Sequence, residues 1–125
     1  MPVTAALLCL ATNVYFEARG EGELGQRAVA EVTLNRVASD RYPDTICDVV
    51  WDDKQFSWTH DGKSDKPKDK DAWLMALWIA SDMMMNDREA LGPMVQHYHS
   101  KKVSPSWAKA MKPVAAIGNH IFYRS

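Results

Sequence analysis

Apolar residues recur at helical spacing in three stretches of the chain, and each stretch predicts an α-helix. The first helix is predicted from a Thr4 cap to about Ala18, after which Gly20 breaks the pattern. The second is predicted over residues 23–37 and the third over residues 69–86. Because each helix is long enough to bury an apolar face, the three are expected to form most of the core.

The apolar positions of these helices define the faces that are expected to be buried. In chain order they are Leu7, Leu8, Ala11, Val14, Tyr15 and Ala18; then Leu24, Ala28, Val32, Leu34 and Val37; then Trp73, Leu74, Leu77, Trp78 and Ser81. The methionines in and after the third helix are expected to fill gaps in the core, because a flexible thioether adapts to irregular space.

Shorter elements are predicted between these helices. Tyr42-Pro43-Asp44 indicates a turn, because proline disfavours helical backbone in the residue before it, and Thr45 can cap a short helix that follows. Residues 52–70 are polar and predict a loop, with a short extended piece at residues 55–58 and a solvated linker at residues 61–70.

The last third of the chain is less periodic. Residues 95–99 and 118–123 are predicted to be extended, and Ser104-Pro105 indicates a helix start with proline at the first helical position. The whole pattern predicts a mainly α (α+β) fold, formed as a single domain over residues 1–125 with a small extended element.

Composition and charge narrow the class of protein. The chain has 125 residues, which fits one domain, and its 15 basic and 16 acidic residues give a net charge of −1. This balance offers no electrostatic basis for binding nucleic acid or an anionic membrane, and no stretch is long and apolar enough to span a bilayer. No nucleic-acid partner or membrane insertion is therefore expected. The chain is also expected to be a monomer.

Two features concern the cellular compartment. Cys9 and Cys47 are too few for a disulfide scaffold and match no metal motif, so they are predicted to be free, partly buried thiols. The apolar stretch of residues 3–10 has no Lys or Arg before it, unlike a secretory signal. Synthesis in the cytoplasm without an export signal is therefore expected.

Glu17 is the strongest candidate for chemistry. It lies at the end of the first predicted helix, where a rigid element can present a carboxyl group to a cleft. Its neighbours Tyr15 and Phe16 are apolar, and desolvation raises the pKa of a carboxyl group. A carboxylic acid that keeps its proton can donate it to a leaving oxygen near neutral pH. The alternative is an exposed glutamate paired with Arg19 or Arg27.

Glu21 is a second carboxylate in the same segment. It would share a helical face with Glu17 if the helix continued, but Gly20 lies between them. Most glycosidases use two carboxylates, whose separation the sequence does not give. The alternative for Glu21 is a loop carboxylate that favours the start of the second helix.

Several stretches of the chain resemble the cell wall hydrolase family typified by the spore-cortex-lytic enzyme SleB. The resemblance covers nearly the whole chain, and its first and last stretches are the most specific. In chain order the stretches are Tyr15-Phe16-Glu17-Ala18-Arg19-Gly20-Glu21, Gly25-Gln26-Arg27-Ala28-Val29-Ala30, Leu34-Asn35-Arg36-Val37, Tyr42-Pro43-Asp44-Thr45-Ile46-Cys47, Gln55-Phe56-Ser57-Trp58, His97-Tyr98-His99, Ser106-Trp107-Ala108 and Ile117-Gly118-Asn119-His120-Ile121-Phe122-Tyr123.

The resemblance implies a lysozyme-like fold and a cofactor-free enzyme, a lytic transglycosylase or muramidase, that cuts peptidoglycan between N-acetylmuramic acid and N-acetylglucosamine. One glutamate protonates the glycosidic oxygen in that chemistry, and matching positions give this role to Glu17. In the transglycosylase version the same glutamate then takes the proton of the muramic 6-hydroxyl. Asn35 and Arg36 are implied to tie the second helix to the cleft wall. The residues implied to bind substrate or support the cleft are Glu21, Gln55, Ser57, Tyr98 and His120. The implied partner of the chain is the peptidoglycan glycan strand.

Two departures from the family pattern bear on the compartment. Relatives often carry an export signal and wall-binding modules, and many exported relatives have cysteines around the segment 55–57, where this chain has Lys54 and His60. Both departures fit folding in a reducing cytosol, as in a phage endolysin released by a separate holin. A fragment of an exported enzyme has the same features.

Two other functions stay open from the residues themselves. His97 and His99 would face the same side of a strand, and with His120 and Glu17 they offer zinc-ligand chemistry for a metal-dependent peptidoglycan amidase or peptidase. Their spacing matches no recognised metal motif, so no metal is predicted. The other alternative is a glycan-binding module without catalysis that uses Trp and Tyr side chains.

Overall fold

The computed structural model describes residues 2–52, 56–86 and 90–124. Within these ranges the elements are α1 (Pro2–Ala18), α2 (Glu23–Val37), α3 (Ile46–Val50), a 3₁₀ helix (Ser57–His60), α4 (Lys70–Met85), β1 (Val95–Ser100), a second 3₁₀ helix (Ser106–Ala110), β2 (Lys112–Ile117) and β3 (His120–Arg124). The predicted α+β class is confirmed. None of the described helices is long and apolar enough to cross a bilayer.

The helix boundaries follow local capping signals. α2 has the predicted bounds, and α4 begins after Asp69, whose side chain accepts the backbone N–H three residues later at 3.1 Å. Thr45 caps α3 in the same way by accepting the N–H of Asp48. The predicted cap at Thr4 is wrong, because α1 already begins at Pro2, and proline suits the first helical turn.

The main core lies where α1 packs against α2 and α4. Several residues of this core are alanines, whose small side chains allow the helices to approach closely. This close packing holds the end of α1 in place. The buried residues of this cluster are Leu10, Ala11, Val14, Tyr15, Ala30, Ala76, Ile79, Ala80 and Met83.

The buried face of α4 differs from the predicted stripe. Leu74 and Trp78, both predicted to be buried, are 56% and 52% exposed. α4 is apolar around most of its circumference, so helical periodicity alone does not distinguish the side that packs on α1. The residues that α4 buries are Ala76, Ile79, Ala80 and Met83. Other exposed residues that the sequence pattern assigned to the core are Leu8, Leu24, Met75 and Met85.

The three strands form an antiparallel sheet in the order β1-β3-β2. The predicted strand over residues 118–123 begins later, at His120, because Gly118 and Asn119 form the turn before it. Gly118 has a φ of +56°, a left-handed conformation that favours glycine. β2 was not predicted, because it is a largely exposed strand at the sheet edge and contains Pro113.

The two faces of the sheet have different surroundings. One face packs on α2 and forms a second buried cluster. The residues of that cluster are Ala18, Ala28, Val29, Val32, Val95 and Phe122. The face away from α2 carries His97, His99 and Tyr123, whose rings surround Trp107 of the second 3₁₀ helix.

Two local predictions differ from the structure. Residues 57–60 form a 3₁₀ helix rather than an extended piece, because Thr59 donates its N–H and its hydroxyl to the Phe56 carbonyl. Gln55, also in the predicted extended piece, lies outside the described residues. Pro105 occupies the cap of the second 3₁₀ helix, one position before the helical position predicted for it.

Cys9 and Cys47 form a disulfide, so the prediction of two free thiols is wrong. The bond joins α1 to α3 across a sequence separation of 38, with a Cα–Cα distance of 5.2 Å. The packing of α1 on α3 brings the two residues together, and sequence spacing does not reveal it. Because disulfides persist in oxidising compartments, the expected folding in a reducing cytosol loses its support.

Removing this disulfide is expected to destabilise the fold. In the variant Cys9→Ala/Cys47→Ala the unfolded chain regains conformational freedom, and the free energy of unfolding should fall by about 2–4 kcal/mol. Urea unfolding followed by circular dichroism measures the change. A reductant should lower the stability of the parent chain but not that of the variant. Two free thiols in a titration of the native parent chain would contradict the prediction.

Candidate active site

Glu17 lies in the last turn of α1, where the end of this helix meets strand β1. The Tyr98 hydroxyl donates a hydrogen bond to Glu17 Oε1. The Tyr98 ring is packed against the rings of His120 at 5.2 Å and Phe122 at 5.3 Å. A helix and a strand therefore hold the carboxyl–phenol pair, and neither group lies on a loop.

Burial dominates the electrostatics of this pair. Removal from water raises the pKa of the Glu17 carboxyl, and the Tyr98 hydrogen bond and the charge of Arg36 only partly oppose the rise. Burial, with the nearby Glu17 charge, raises the pKa of the Tyr98 phenol well above its ordinary value. Glu17 is therefore biased toward its protonated form, and Tyr98 remains a hydrogen-bond donor.

Polar side chains of α2 hold β1 beside α1. Glu31 accepts hydrogen bonds from the backbone N–H groups of residues 90–92 at 2.7–3.2 Å. Asn35 donates to the carbonyls of residues 92 and 95, both at 2.9 Å. Arg36 donates to the carbonyl of Gln96 at 2.9 Å. Asn35 and Arg36 thus tie α2 to strand β1, which carries Tyr98.

The Arg36 guanidinium is a buried cation close to the candidate acid. It lies over the rings of Tyr42 and Phe56, each 5.2 Å from its Cζ atom. Its Nη1 atom has no hydrogen-bond partner among the described residues. Because its charge acts through poorly solvated surroundings, it favours the carboxylate form of Glu17 once the proton has left.

A cleft of about 420 Å³ opens beside Glu17. Phe16 and Trp58 both line it and stack on each other, with ring centroids 5.0 Å apart. Asn13 fixes the indole by accepting its N–H at 2.8 Å, and its own amide donates to Thr33 at 3.2 Å. The candidate acid therefore adjoins a rigid aromatic pair, in which Phe16 is half-buried and Trp58 is 5% exposed.

The lining of the cleft also includes residues of the segment 61–68, which the sequence pattern predicted to be a solvated linker. The end of this segment is anchored on the Tyr15 hydroxyl, which accepts the backbone N–H groups of Lys68 at 3.0 Å and Asp69 at 2.9 Å. Arg19 donates to the same oxygen at 2.6 Å. The linker prediction missed this part of the lining because the anchoring phenol is 53 residues earlier in the chain.

Glu21 does not line the cleft. Its carboxylate accepts the backbone N–H of Asn119 at 2.9 Å and the side-chain amide of Asn119 at 3.0 Å. A Cβ atom at Gly118 would lie 1.8 Å from Glu21 Oε1, so this turn requires glycine for space as well as conformation. Glu21 thus joins the loop after α1 to the turn before β3.

The other residues implied to bind substrate are distributed as follows. Tyr98 contacts Glu17 directly, and His120 is buried against Tyr98, where burial lowers the pKa of the imidazole. Ser57 begins the first 3₁₀ helix, but its side chain lies outside the described part of the chain, as does Gln55. The structure therefore brings Glu17, Tyr98 and His120 together.

The histidines of the alternative zinc site do not converge. His97 and His99 lie on the sheet face away from α2, both against Trp107, as their spacing predicted. His120 lies on the opposite face, against Tyr98. Three imidazoles on two faces of a sheet cannot bind one ion in this arrangement. No group of three or more potential metal ligands occurs within the described ranges.

Comparisons with known proteins show the family of this chain. The sequence model described as Cell Wall Hydrolase matches residues 20–123. Spore cortex-lytic enzymes of Halalkalibacterium halodurans and Bacillus cereus are 31% and 32% identical over 113 and 116 residues, which is 90% of this chain in each case. The chain spans 33% and 42% of the length of those relatives.

A solved structure shares the fold. The catalytic domain of the germination-specific lytic transglycosylase SleB from Bacillus anthracis superposes with a TM-score of 0.76 and 30% sequence identity. The match covers 95% of this chain and 93% of that domain. The family sequence match begins after Glu17, so the case for Glu17 rests on its geometry.

The raised pKa of Glu17 predicts a pH-dependent cost in stability. A carboxyl group whose pKa is higher in the folded chain holds its proton more tightly there, so stability falls as pH rises from the unfolded toward the folded pKa. Glu17→Gln keeps an acceptor for Tyr98 and should therefore be more stable than the parent at neutral pH, with the gain lost in acid. Thermal unfolding between about pH 3 and about pH 8 measures this.

The matched control for this measurement is Glu23→Gln. Glu23 is exposed on α2 and should give no comparable gain at neutral pH. A parent chain at least as stable as Glu17→Gln at neutral pH would show that the carboxyl group is not held in its neutral form.

Proposed function

Because this chain belongs to the cell wall hydrolase family, we propose that it is an enzyme that cleaves peptidoglycan glycan strands with Glu17 as its general acid. The bond that we assign to it joins N-acetylmuramic acid to N-acetylglucosamine. The observation that carries this proposal is a half-buried carboxyl group with a raised pKa at a cleft that Phe16 and Trp58 also line. The names of the relatives, spore cortex-lytic enzymes and a lytic transglycosylase domain, support the reaction class.

The first half of the reaction uses the protonated form of Glu17. A strand in the cleft places its glycosidic oxygen at the carboxyl group, which donates its proton as the bond to the anomeric carbon breaks. The resulting carboxylate retains the Tyr98 hydrogen bond and the nearby positive charge of Arg36. Because both interactions favour the charged form, they stabilise Glu17 as proton transfer proceeds.

The second half uses the carboxylate as a base. It takes a proton from the nucleophile that attacks the anomeric carbon, either water or the 6-hydroxyl of the same muramic residue. In the second case the product is a 1,6-anhydro ring, and one carboxyl group serves both proton transfers. The donor and the cation beside Glu17 hold its charge between the two transfers in either version. We favour the 6-hydroxyl because the similar SleB catalytic domain is named as that of a lytic transglycosylase.

We also propose that residues 1–125 form one catalytic domain that acts on the cell wall as a monomer. The extent of the match to the solved catalytic domain supports the domain assignment. The Cys9–Cys47 disulfide supports action outside a reducing cytosol, because such a bond persists in oxidising surroundings.

Glu17→Gln is expected to abolish cleavage while keeping the fold. The amide cannot donate a proton to a leaving oxygen, so kcat should fall by a factor of about 10² to 10⁴ or more. Turbidity loss of a peptidoglycan suspension measures the rate, and Glu23→Gln, an exposed change away from the cleft, should retain parental activity.

Mass spectrometry of the released fragments completes this test. Anhydro-muramic ends indicate transglycosylation, and reducing muramic ends indicate hydrolysis. Free stem peptides would indicate an amidase or peptidase, and binding without soluble fragments would indicate a glycan-binding module. Parental activity in Glu17→Gln would remove Glu17 from the acid role.

Tyr98→Phe is expected to shift the pH dependence of cleavage. The Tyr98 hydroxyl lowers the pKa of Glu17, so its loss should move the alkaline limb of the activity profile to higher pH. Loss of a hydrogen bond to the carboxylate should also reduce kcat by about tenfold. Tyr123→Phe, which loses a hydroxyl on the opposite sheet face, should leave the limb unmoved. An unshifted limb in Tyr98→Phe would contradict this coupling.

A further inference from the structure

Cations gather around the cleft although the chain as a whole has a net charge of −1. Arg19, directly after α1, lines the cleft together with Lys63, Lys66 and Lys68 of the segment 61–68. These four exposed residues are called the cationic rim. Among the described residues that line the cleft, the acidic ones are Glu17 and Asp61, so this lining carries an excess of positive charge. Asp65 and Asp69, close to these lysines in the chain, are not among the lining residues.

The lysines of the cationic rim form no salt bridge within the described part of the chain, although Asp65 and Asp69 are close to them in sequence. The ion pairs found there are those of Arg27 with Glu23 and Asp82. Asp61 is engaged in its own turn, where its Oδ1 atom accepts the backbone N–H of Lys63 at 2.9 Å. The ammonium groups are therefore available to an anion that enters the cleft.

The rim is fixed to the same helix as the candidate acid. The Tyr15 hydroxyl accepts the backbone N–H of Lys68, and Tyr15 and Glu17 both belong to α1. Earlier in the segment, the Ser64 side chain accepts the backbone N–H of Lys66 at 3.2 Å. This forms a second local turn after the one at Asp61. The positive charges thus flank the cleft that we assign to glycan cleavage.

We propose that the cationic rim selects glycan strands that carry free carboxylates, on the lactyl group of muramic acid or on peptide stems, over neutral strands. This inference rests on the proposed function, because the rim borders the cleft where Glu17 would act. Strands of N-acetylglucosamine alone and muramic units closed into a lactam carry no such charge. Charges at an exposed rim act over about 10 Å at 0.1 M salt, so they should promote binding more than the chemical step.

The test compares two triple variants with the same change in net charge. Lys63→Gln/Lys66→Gln/Lys68→Gln removes the lysines of the rim. Lys101→Gln/Lys102→Gln/Lys109→Gln removes three exposed lysines that do not line the cleft. Each is assayed beside the parent on peptide-bearing strands, on strands stripped of peptides by an amidase, and on stripped strands whose carboxylates have been converted to neutral methylamides.

The rim variant should raise KM on carboxylate-bearing strands by about tenfold at low salt, with kcat unchanged. The effect should shrink at high salt and be absent on the methylamide strands, and the control variant should behave like the parent. A larger effect on peptide-bearing strands assigns the recognised charge to the stems. A larger effect on stripped strands assigns it to the lactyl group, because a stem peptide occupies that carboxyl group as an amide. An equal effect on both kinds of strand shows that either carboxylate is recognised.

Two results would contradict the role of the cationic rim in strand selection, and a third would contradict the proposed glycan cleavage as well. Equal cleavage of neutral and anionic strands by the parent, or equal losses in the two triple variants, would remove the rim from recognition while glycan cleavage itself stands. A parent chain that cleaves none of the three strands would overturn the proposed function together with this inference.

Discussion

The contact between the end of α1 and strand β1 is the constraint on which the rest of the site depends. It places a carboxyl group from one element against a phenol from another, in surroundings dry enough to raise the pKa of Glu17. The packing of α1 against α4 fixes the helix, and the hydrogen bonds from α2 fix the strand. If either support shifted, water would reach the carboxyl group and its pKa would return toward that of an ordinary glutamate.

Two charged side chains that α2 buries, Glu31 and Arg36, show how β1 is held against the end of α1. An unpaired buried charge costs several kcal/mol, yet neither Glu31 nor Arg36 forms a salt bridge with another described residue. Backbone groups compensate them instead: N–H groups of residues 90–92 bind the Glu31 carboxylate, and a β1 carbonyl binds the guanidinium. Because these bonds go to the backbone, they position β1 as well as satisfying the charges. The stability of α2 and the geometry of the site therefore have the same physical origin.

The sequence predicted what local signals determine. The bounds of α2, the Thr45 cap and the position of Glu17 before a glycine break all depend on residues within a few positions of each other. The Cys9–Cys47 disulfide and the Tyr15 anchor join residues 38 and 53 positions apart, and only packing brings them together. The buried side of α4 could not be predicted because the helix is apolar on most sides. The fold class was therefore predictable, whereas the part of the cleft lined by the segment 61–68 was not.

The cationic rim and the candidate acid impose opposite electrostatic demands, and the structure separates them by solvent exposure. A cation close to Glu17 lowers its pKa, which would deprotonate the acid if the effect were strong. The charge that lowers this pKa is that of buried Arg36, and burial of the carboxyl group outweighs it. Lys63, Lys66 and Lys68 are exposed, where water and salt screen their effect on the half-buried Glu17 carboxyl group. The rim can therefore attract an anionic strand through solvent while the proton needed to cleave it stays on Glu17.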